Sequence, residues 1–333
     1  MAATLLCAAC SDDDAGPVVD PPPAWQVVLD DADIDRVALS VWGTSASDVF
    51  VVGGPLGNTG LEAMVLHFDG SGWKDLAPGG ADTFWWVAGT ASDDVWMVGE
   101  KGRITHYDGH VFVDHMSAVT ATIWGVWPFA ADDVWAVGGT PGGGTAAPND
   151  IVLHYDGSSW TKVALPVEKG LALNKVWGPA PGELYAVGEK GTTWHLKDGS
   201  WADESAVAAT TLFTVHGCSA TEVYAVGGFN VLRSSGDGTW TKLDVKLNNS
   251  ANGVSCAPGV VGVVGSGGLK GRLEGERWTN DFTKMPFVDL HAVWAQSKDE
   301  LWVVGGDFAT GAGAGPRKGV VARFGVGKVK DTL

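Results

Sequence analysis

Residues 40–54 read SVWGTSASDVFVVGG, and residues 64–76 read MVLHFDGSGWKDL. Four short apolar pieces follow one another here. The first ends at Trp42-Gly43, the second runs from Asp48 to Gly53, the third ends in His67-Phe68-Asp69-Gly70, and the fourth opens on Trp73. Residues alternate within each piece, and Gly, Asp and Ser bound it. Those are strand signals, and no segment carries a helical period. The set recurs along the chain. The glycine ending the second piece falls at Gly53, Gly99, Gly138, Gly188, Gly227, Gly265 and Gly305, at intervals of 46, 39, 50, 39, 38 and 40 residues. Four strands per repeat of about 40 residues predict an all-β chain, a seven-bladed β-propeller of four-stranded antiparallel blades.

The other pieces keep the same register. An acidic residue opens the second strand at Asp48, Asp94, Asp133, Glu183, Glu222 and Glu300, while the sixth copy, SCAPGVVGVVG, lacks it. The third strand ends in a His-aromatic-Asp-Gly element at His67, His106 and His154, with looser copies at His195 to Gly199, Arg233 to Gly238, Arg272 to Gly275 and Arg323 to Gly325. The fourth strand opens on Trp73, Trp160, Trp201, Trp240 and Trp278, with Phe112 in the second blade. That makes six, and Trp25 in AWQVVL supplies a seventh. Trp25 lies 17 residues before Trp42, as Trp160 lies 17 before Trp177. The N-terminal strand is therefore expected to complete the last blade, because an open ring would leave unpaired strand edges. The rival closing strand, the C-terminal GVGKVKDTL, has no tryptophan. The expected propeller spans 24–325, with a tail at 326–333.

Composition narrows the partners. Of 333 residues, 45% are hydrophobic, 48 are Gly and 17 are Trp, which suits a large core, tight turns and bulky packing anchors. The formal charge is -17 with no Lys/Arg cluster, which excludes a nucleic-acid partner. Residues 1–10, MAATLLCAAC, resemble the end of a bacterial lipoprotein signal. In that family a small-residue pair precedes a cysteine that is acylated, and Ala8, Ala9 and Cys10 fit. Cys7 stands where leucine is usual, and a basic leader is missing. The resemblance implies lipidation at Cys10 and a cell-envelope location, outer-membrane-anchored or extracellular. Residues 11–23 form an acidic, Pro-rich tether that cannot pack a core. No run of 18 apolar residues follows, so the expected membrane contact is the lipid anchor alone.

Most chemically attractive residues recur with the blades, and this is how structural residues behave. The fourth-strand tryptophans fill wedges between blades. His67, His106, His154 and His195 point to different places around a ring, so no metal site is expected. The acids before the second strands are expected to accept hydrogen bonds from turn amides; the sharper alternative is cation binding or a basic partner. Trp85, Trp86, Trp124 and Trp127 are less regular, and any not needed for packing is a candidate ligand contact. Cys218 and Cys256 lie one register apart in neighbouring first strands, either bridged, as suits an exported protein, or as two thiols that a thiol assay would count. The long connections Gly54–Ala63, Gly139–Asp150 and Gly306–Gly319 share the face opposite the acidic turns, where loops on a rigid scaffold carry binding. Candidate ligand residues there are Leu56, Asn58, Thr140, Asn149, Asp307, Phe308 and Arg317. The Gly and Ala content of these loops predicts mobility.

The repeat VWG…DVWAVG…HYDG…W resembles two propeller groups: the bacterial Asp-box and photosystem II stability-factor-like propellers, and the tectonin-type lectins. Ser234 to Trp240, SSGDGTW, comes close to an Asp-box turn without its full spacing. The resemblance covers residues 24–325 and implies a fold more than a function. Asp boxes also occur in sialidases, which use an arginine cluster and a tyrosine nucleophile. Here the arginines are scattered, and all four tyrosines sit at repeat positions. No G-x-S-x-G, P-loop or H-E-x-x-H element is present. The expectation is a monomeric, non-catalytic envelope propeller without cofactor that binds an envelope protein or surface glycan. The alternatives are a lectin proper and a degenerate glycoside hydrolase, whose paired carboxylates would converge only in three dimensions.

Overall fold

The computed structural model describes residues 21–57, 60–205, 210–308, 317–331 and 333. Cys10 and Asn58 lie outside them. The described chain forms seven four-stranded antiparallel sheets arranged as the blades of a propeller. Blade one comprises Val37–Ser45, Asp48–Gly54, Met64–Phe68 and Trp73–Asp75, from the axis outward. Five more blades repeat that order. The seventh takes Asp289–Ser297, Glu300–Gly306 and Gly319–Gly325 from the C-terminal end, and its outer strand, Ala24–Leu29, from the N-terminal end. Trp25 pairs with Phe324 and Gln26 with Arg323.

The recurring residues are explained by close approach. A Cβ on any of Gly53, Gly99, Gly138, Gly188, Gly227, Gly265 or Gly305 would lie 1.9 to 2.4 Å from the carbonyl oxygen at the start of its own first strand. Only glycine lets the second strand close onto that carbonyl. The VWG element works between blades. The rings of Trp42 and Trp177 come within 2.6 and 2.5 Å of where a Cβ would sit on Gly89 and Gly217 of the following blades. The fourth-strand tryptophans form the wedges. Trp73, Trp160 and Trp240 stand edge-on to Trp302, Trp96 and Tyr185 of the preceding blades, with ring centroids 5.8 to 5.9 Å apart. The core is thus a series of inter-blade clusters such as that joining Trp73 and Leu66 of blade one to Trp302 and Val321 of blade seven.

Blade six departs from the pattern. Gly262 replaces the second-strand aromatic, and Trp278 folds over Gly271 of its own sheet. A disulfide between Cys218 and Cys256, with Cα atoms 5.2 Å apart, joins the first strands of blades five and six.

Candidate functional site

Near its start, the first strand of six blades carries an extra residue that skips pairing with the second strand. The register shifts around Leu39, Trp85, Trp124, Asn174, Asn252 and His291. Phe213 holds the same place just before the fifth blade's first strand, Thr214–Ser219. A bulge re-aims the side chain of its extra residue. Here it turns one side chain per blade away from the sheet toward the axis, on the face of the long connections. Trp85, Trp124, Asn174, Phe213, Asn252 and His291 line a cavity of about 250 Å³ together with Lys175, Thr214 and Pro141. Six blades contribute, which only a site on the axis permits. The residue before this register is apolar in every blade, and the one two places after it is valine in all seven, from Val41 to Val293, whereas this one is Leu, Trp, Trp, Asn, Phe, Asn and His.

Polar groups at this axial mouth also lace the ring together. Asn174 donates from Nδ2 to the Leu212 carbonyl at 2.8 Å, and Asn252 to that of Leu290 at 3.2 Å. Thr214 donates to the Asn252 carbonyl at 2.7 Å. His291 donates from Nδ1 to the Leu39 carbonyl at 2.6 Å. Each bond crosses to the next blade. A carbonyl only accepts, so the His291 proton sits on Nδ1, and Nε2 of the neutral ring is an acceptor. The indoles of Trp85 and Trp124 meet edge to face at 4.6 Å, and Trp85 Nε1 is a buried donor without a partner. Lys175 is buried, donates to the carbonyls of Trp124 and Asn174 at 2.8 and 3.1 Å, and lies 4.4 Å from the Trp86 ring centroid. Among the described residues no carboxylate lines the cavity. The mouth therefore offers aromatic walls and uncharged acceptors, with one buried lysine that has no counter-ion among the described residues.

Burial pushes Lys175 down to about 7. It also pushes His216 to about 4, and His291 likewise to about 4 with the Lys175 charge adding to the effect. His216 packs beside Trp127 and Trp177, and its Nδ1 accepts the Cys256 amide at 3.0 Å. An unfolded histidine titrates near 6.5. Between about pH 6.5 and 4 the unfolded chain therefore binds protons that the folded chain refuses. The stability these groups contribute is complete above that window and is lost as pH falls through it. The expected loss is roughly 2–3 kcal/mol per histidine. Denaturant midpoints measured from pH 7 to 4 should fall less steeply in His216→Asn than in the parent; parallel curves would contradict the assignment.

The opposite face is built from repeats. His67, His106 and His154 bond Asp48, Asp94 and Asp133 at 2.6, 2.8 and 2.8 Å, each stacked on the second-strand ring. His195 lies between Glu183 at 3.2 Å and Glu204 at 2.7 Å. The acids expected to serve turn amides thus take side-chain partners one strand over. Burial opposes the charge of Asp48, but hydrogen bonds from Thr44, His67 and Ser92 hold its carboxyl below the ordinary value. Among the described residues no group of three or more His, Cys, Asp or Glu could hold a metal ion.

The candidate loop residues scatter. Asn149 is buried and holds its own loop, accepting the Thr140 amide at 2.7 Å and donating to Gly144 and Gly170. One amide side chain thus joins the start and the middle of this loop to Gly170 of the following connection. Arg317 donates to the Leu56 carbonyl, tying the long loops of blades seven and one. Phe308 reaches the mouth, its ring 6.1 Å from that of His291. Asp307 lines a neighbouring cleft with Phe308. Of the irregular tryptophans, Trp85 and Trp124 are at the mouth, Trp86 lies under Lys175, and Trp127 packs between blades. Lys175, Asn174, Phe213, Asn252 and His291 escaped the reading of motifs. Their one signal was disagreement between blades at the bulge register and the position after it.

No protein-family model and no curated protein matches this chain. Solved structures do. The chain is similar to YCF48 bound to D1 peptide, with TM-score 0.66 and 15% identity over 93% of this chain and 99% of that one. It is similar to YCF48 from Cyanidioschyzon merolae, with TM-score 0.65 and 13% identity over 91% and 98%. It is also similar to the WD40 β-propeller domain of Doa1, with TM-score 0.66 and 10% identity over 90% and 96%. At these identities the likeness is one of fold.

Proposed function

We propose that this chain is a non-catalytic binding propeller of the cell envelope, and that it holds a segment of a partner protein over the axial mouth. The observation that carries the reading is the ring of residues at the bulge register, which follow no repeat from blade to blade, converging on one cavity. Packing alone would repeat them, as it repeats the apolar residue before them and the valine two places after. A structure of similar fold, YCF48, has been solved bound to D1 peptide, which supports a peptide as occupant. The tether fits this orientation. The described chain enters its first strand at Ala24, opposite Gly325, at the end away from the mouth. Acylation at Cys10 would then leave the mouth pointing away from the membrane. The Trp85–Trp124 pair beside two amide oxygens also suits a sugar, which is the second reading.

The test is capture from detergent-solubilised envelope by the immobilised full chain. Trp124→Ala is expected to weaken capture of the specific partner at least tenfold, as truncating a central aromatic anchor does. Capture unchanged in both Trp124→Ala and Trp85→Ala would refute the mouth as the site. Saturable glycan binding lost in Trp85→Ala would move the reading to a lectin, and turnover of a glycoside panel would end the non-catalytic one.

A further inference from the structure

The mouth has a neighbour on the same face. The connection between blades six and seven leaves Met285, Phe287 and Val288 61, 56 and 39% exposed. Single exposed apolar residues are ordinary, but contiguous ones on a monomer mark an interaction surface. These three form one wall of a cleft of about 990 Å³, and Phe308 lines it as well. Phe308 is the link, since its ring lies 6.1 Å from that of His291 at the mouth. Carboxylates stand in the same cleft. Asp30, Asp31 and Asp289 line it, and none has a Lys or Arg within ion-pair distance among the described residues. Two are held in place by backbone amides, Asp30 by that of Ala32 at 2.8 Å and Asp289 by that of Gly267 at 2.7 Å. Lys318 also lines the cleft, with its ammonium turned to the Asp31 carbonyl at 2.6 Å.

We infer that this cleft seats an extended segment of the partner in which apolar side chains alternate with lysine or arginine. The inference rests on the reading that the partner lies across the mouth face. An extended chain sends successive side chains to opposite sides. One set can meet Met285, Phe287, Val288 and Phe308 while the other meets Asp30, Asp31 and Asp289. A chain of charge -17 also steers a basic segment toward itself and repels an acidic one.

The probe is a fluorescein-labelled decapeptide of alternating leucine and lysine, titrated into the full chain by anisotropy. Two control peptides carry glutamate for lysine, or serine for leucine. Saturable binding of the first is expected, at least tenfold tighter than either control. The double variant Met285→Ser/Phe287→Ser should abolish it. Asp30→Asn/Asp31→Asn should weaken it three- to tenfold and flatten its salt dependence. These side chains are exposed, so an unchanged circular dichroism spectrum is expected in each variant. Equal binding of all three peptides, or binding indifferent to Met285→Ser/Phe287→Ser, would overturn the inference. So would a concentration-dependent dimer of the parent chain that the same double variant dissolves, since the occupant would then be a second copy. Envelope capture separates the two readings. Capture lost in Trp124→Ala but kept in Met285→Ser/Phe287→Ser defeats the cleft and leaves the mouth; the reverse defeats the mouth.

Discussion

Deleting residues 24–30 is expected to leave a protein that does not fold at 37 °C. The strand Ala24–Leu29 supplies the outer edge of a blade whose other three strands come from the far end of the chain. It brings Val28 and Leu29, 3 and 0% exposed, into the cores beside it. Trp25 covers Phe324 at 5.4 Å and donates to Asp281 of the preceding blade at 2.9 Å. Emptying two buried aliphatic sites and one large aromatic site costs about 2–5 kcal/mol each. The sum is comparable to the whole stability of an ordinary domain, about 5–15 kcal/mol. Removal also bares the outer edge of Gly319–Gly325, a template for aggregation. Val28→Asp tests the same contact without shortening the chain, and should act in the same direction. A truncated protein with the parent's denaturant midpoint would show that the ring closes without this strand.

Arg323→Met should destabilise the same blade by about 3–5 kcal/mol. Arg323 takes the place that histidine holds in blades one to four, and its carboxylate, Glu300, holds the acidic register. The two are buried together, with Nε donating to Glu300 Oε1 at 2.6 Å. Nη1 donates to the Val326 carbonyl at 3.1 Å and so ties down the C-terminal residues. Losing the guanidinium strands a buried carboxylate, which costs far more than the pair contributes. The double variant Arg323→Met/Glu300→Leu should therefore recover most of the loss. Equal destabilisation in the single and double variants would mean that packing by the arginine stem, rather than charge, holds the site. The cycle is read from denaturant midpoints at pH 7.

The fold was legible because its causes are local and repeated. A glycine that must meet a carbonyl, a tryptophan that must lie on the next blade's glycine, and a Trp at the head of each outer strand recur at fixed spacing. Trp25 could be assigned from spacing alone, since a ring demands one outer strand per blade. The acid-to-histidine pairs were half legible. Both residues stood out, but their pairing needs two strands side by side. The loops were the least legible. Asn149, a candidate ligand residue, also clamps its loop, and its burial and its partners at Gly144 and Gly170 cannot be seen in a stretch rich in Gly and Ala.

By itself the sequence determined the number of blades, their strand order and the strand that closes the ring. The first two follow from contacts between residues close in sequence or about one repeat apart, and the third from counting, since a ring needs one outer strand per blade and only Trp25 was left to head it. The site was decided only by the tertiary structure. Along the chain, Trp85, Trp124, Asn174, Phe213, Asn252 and His291 are six unrelated residues separated by whole blades. A bulge in the first strand turns five of them toward the axis, Phe213 holds the same place just before its strand, and closing the circle brings all six to one cavity. Convergence at an axis is a property of the ring, and no single repeat contains it.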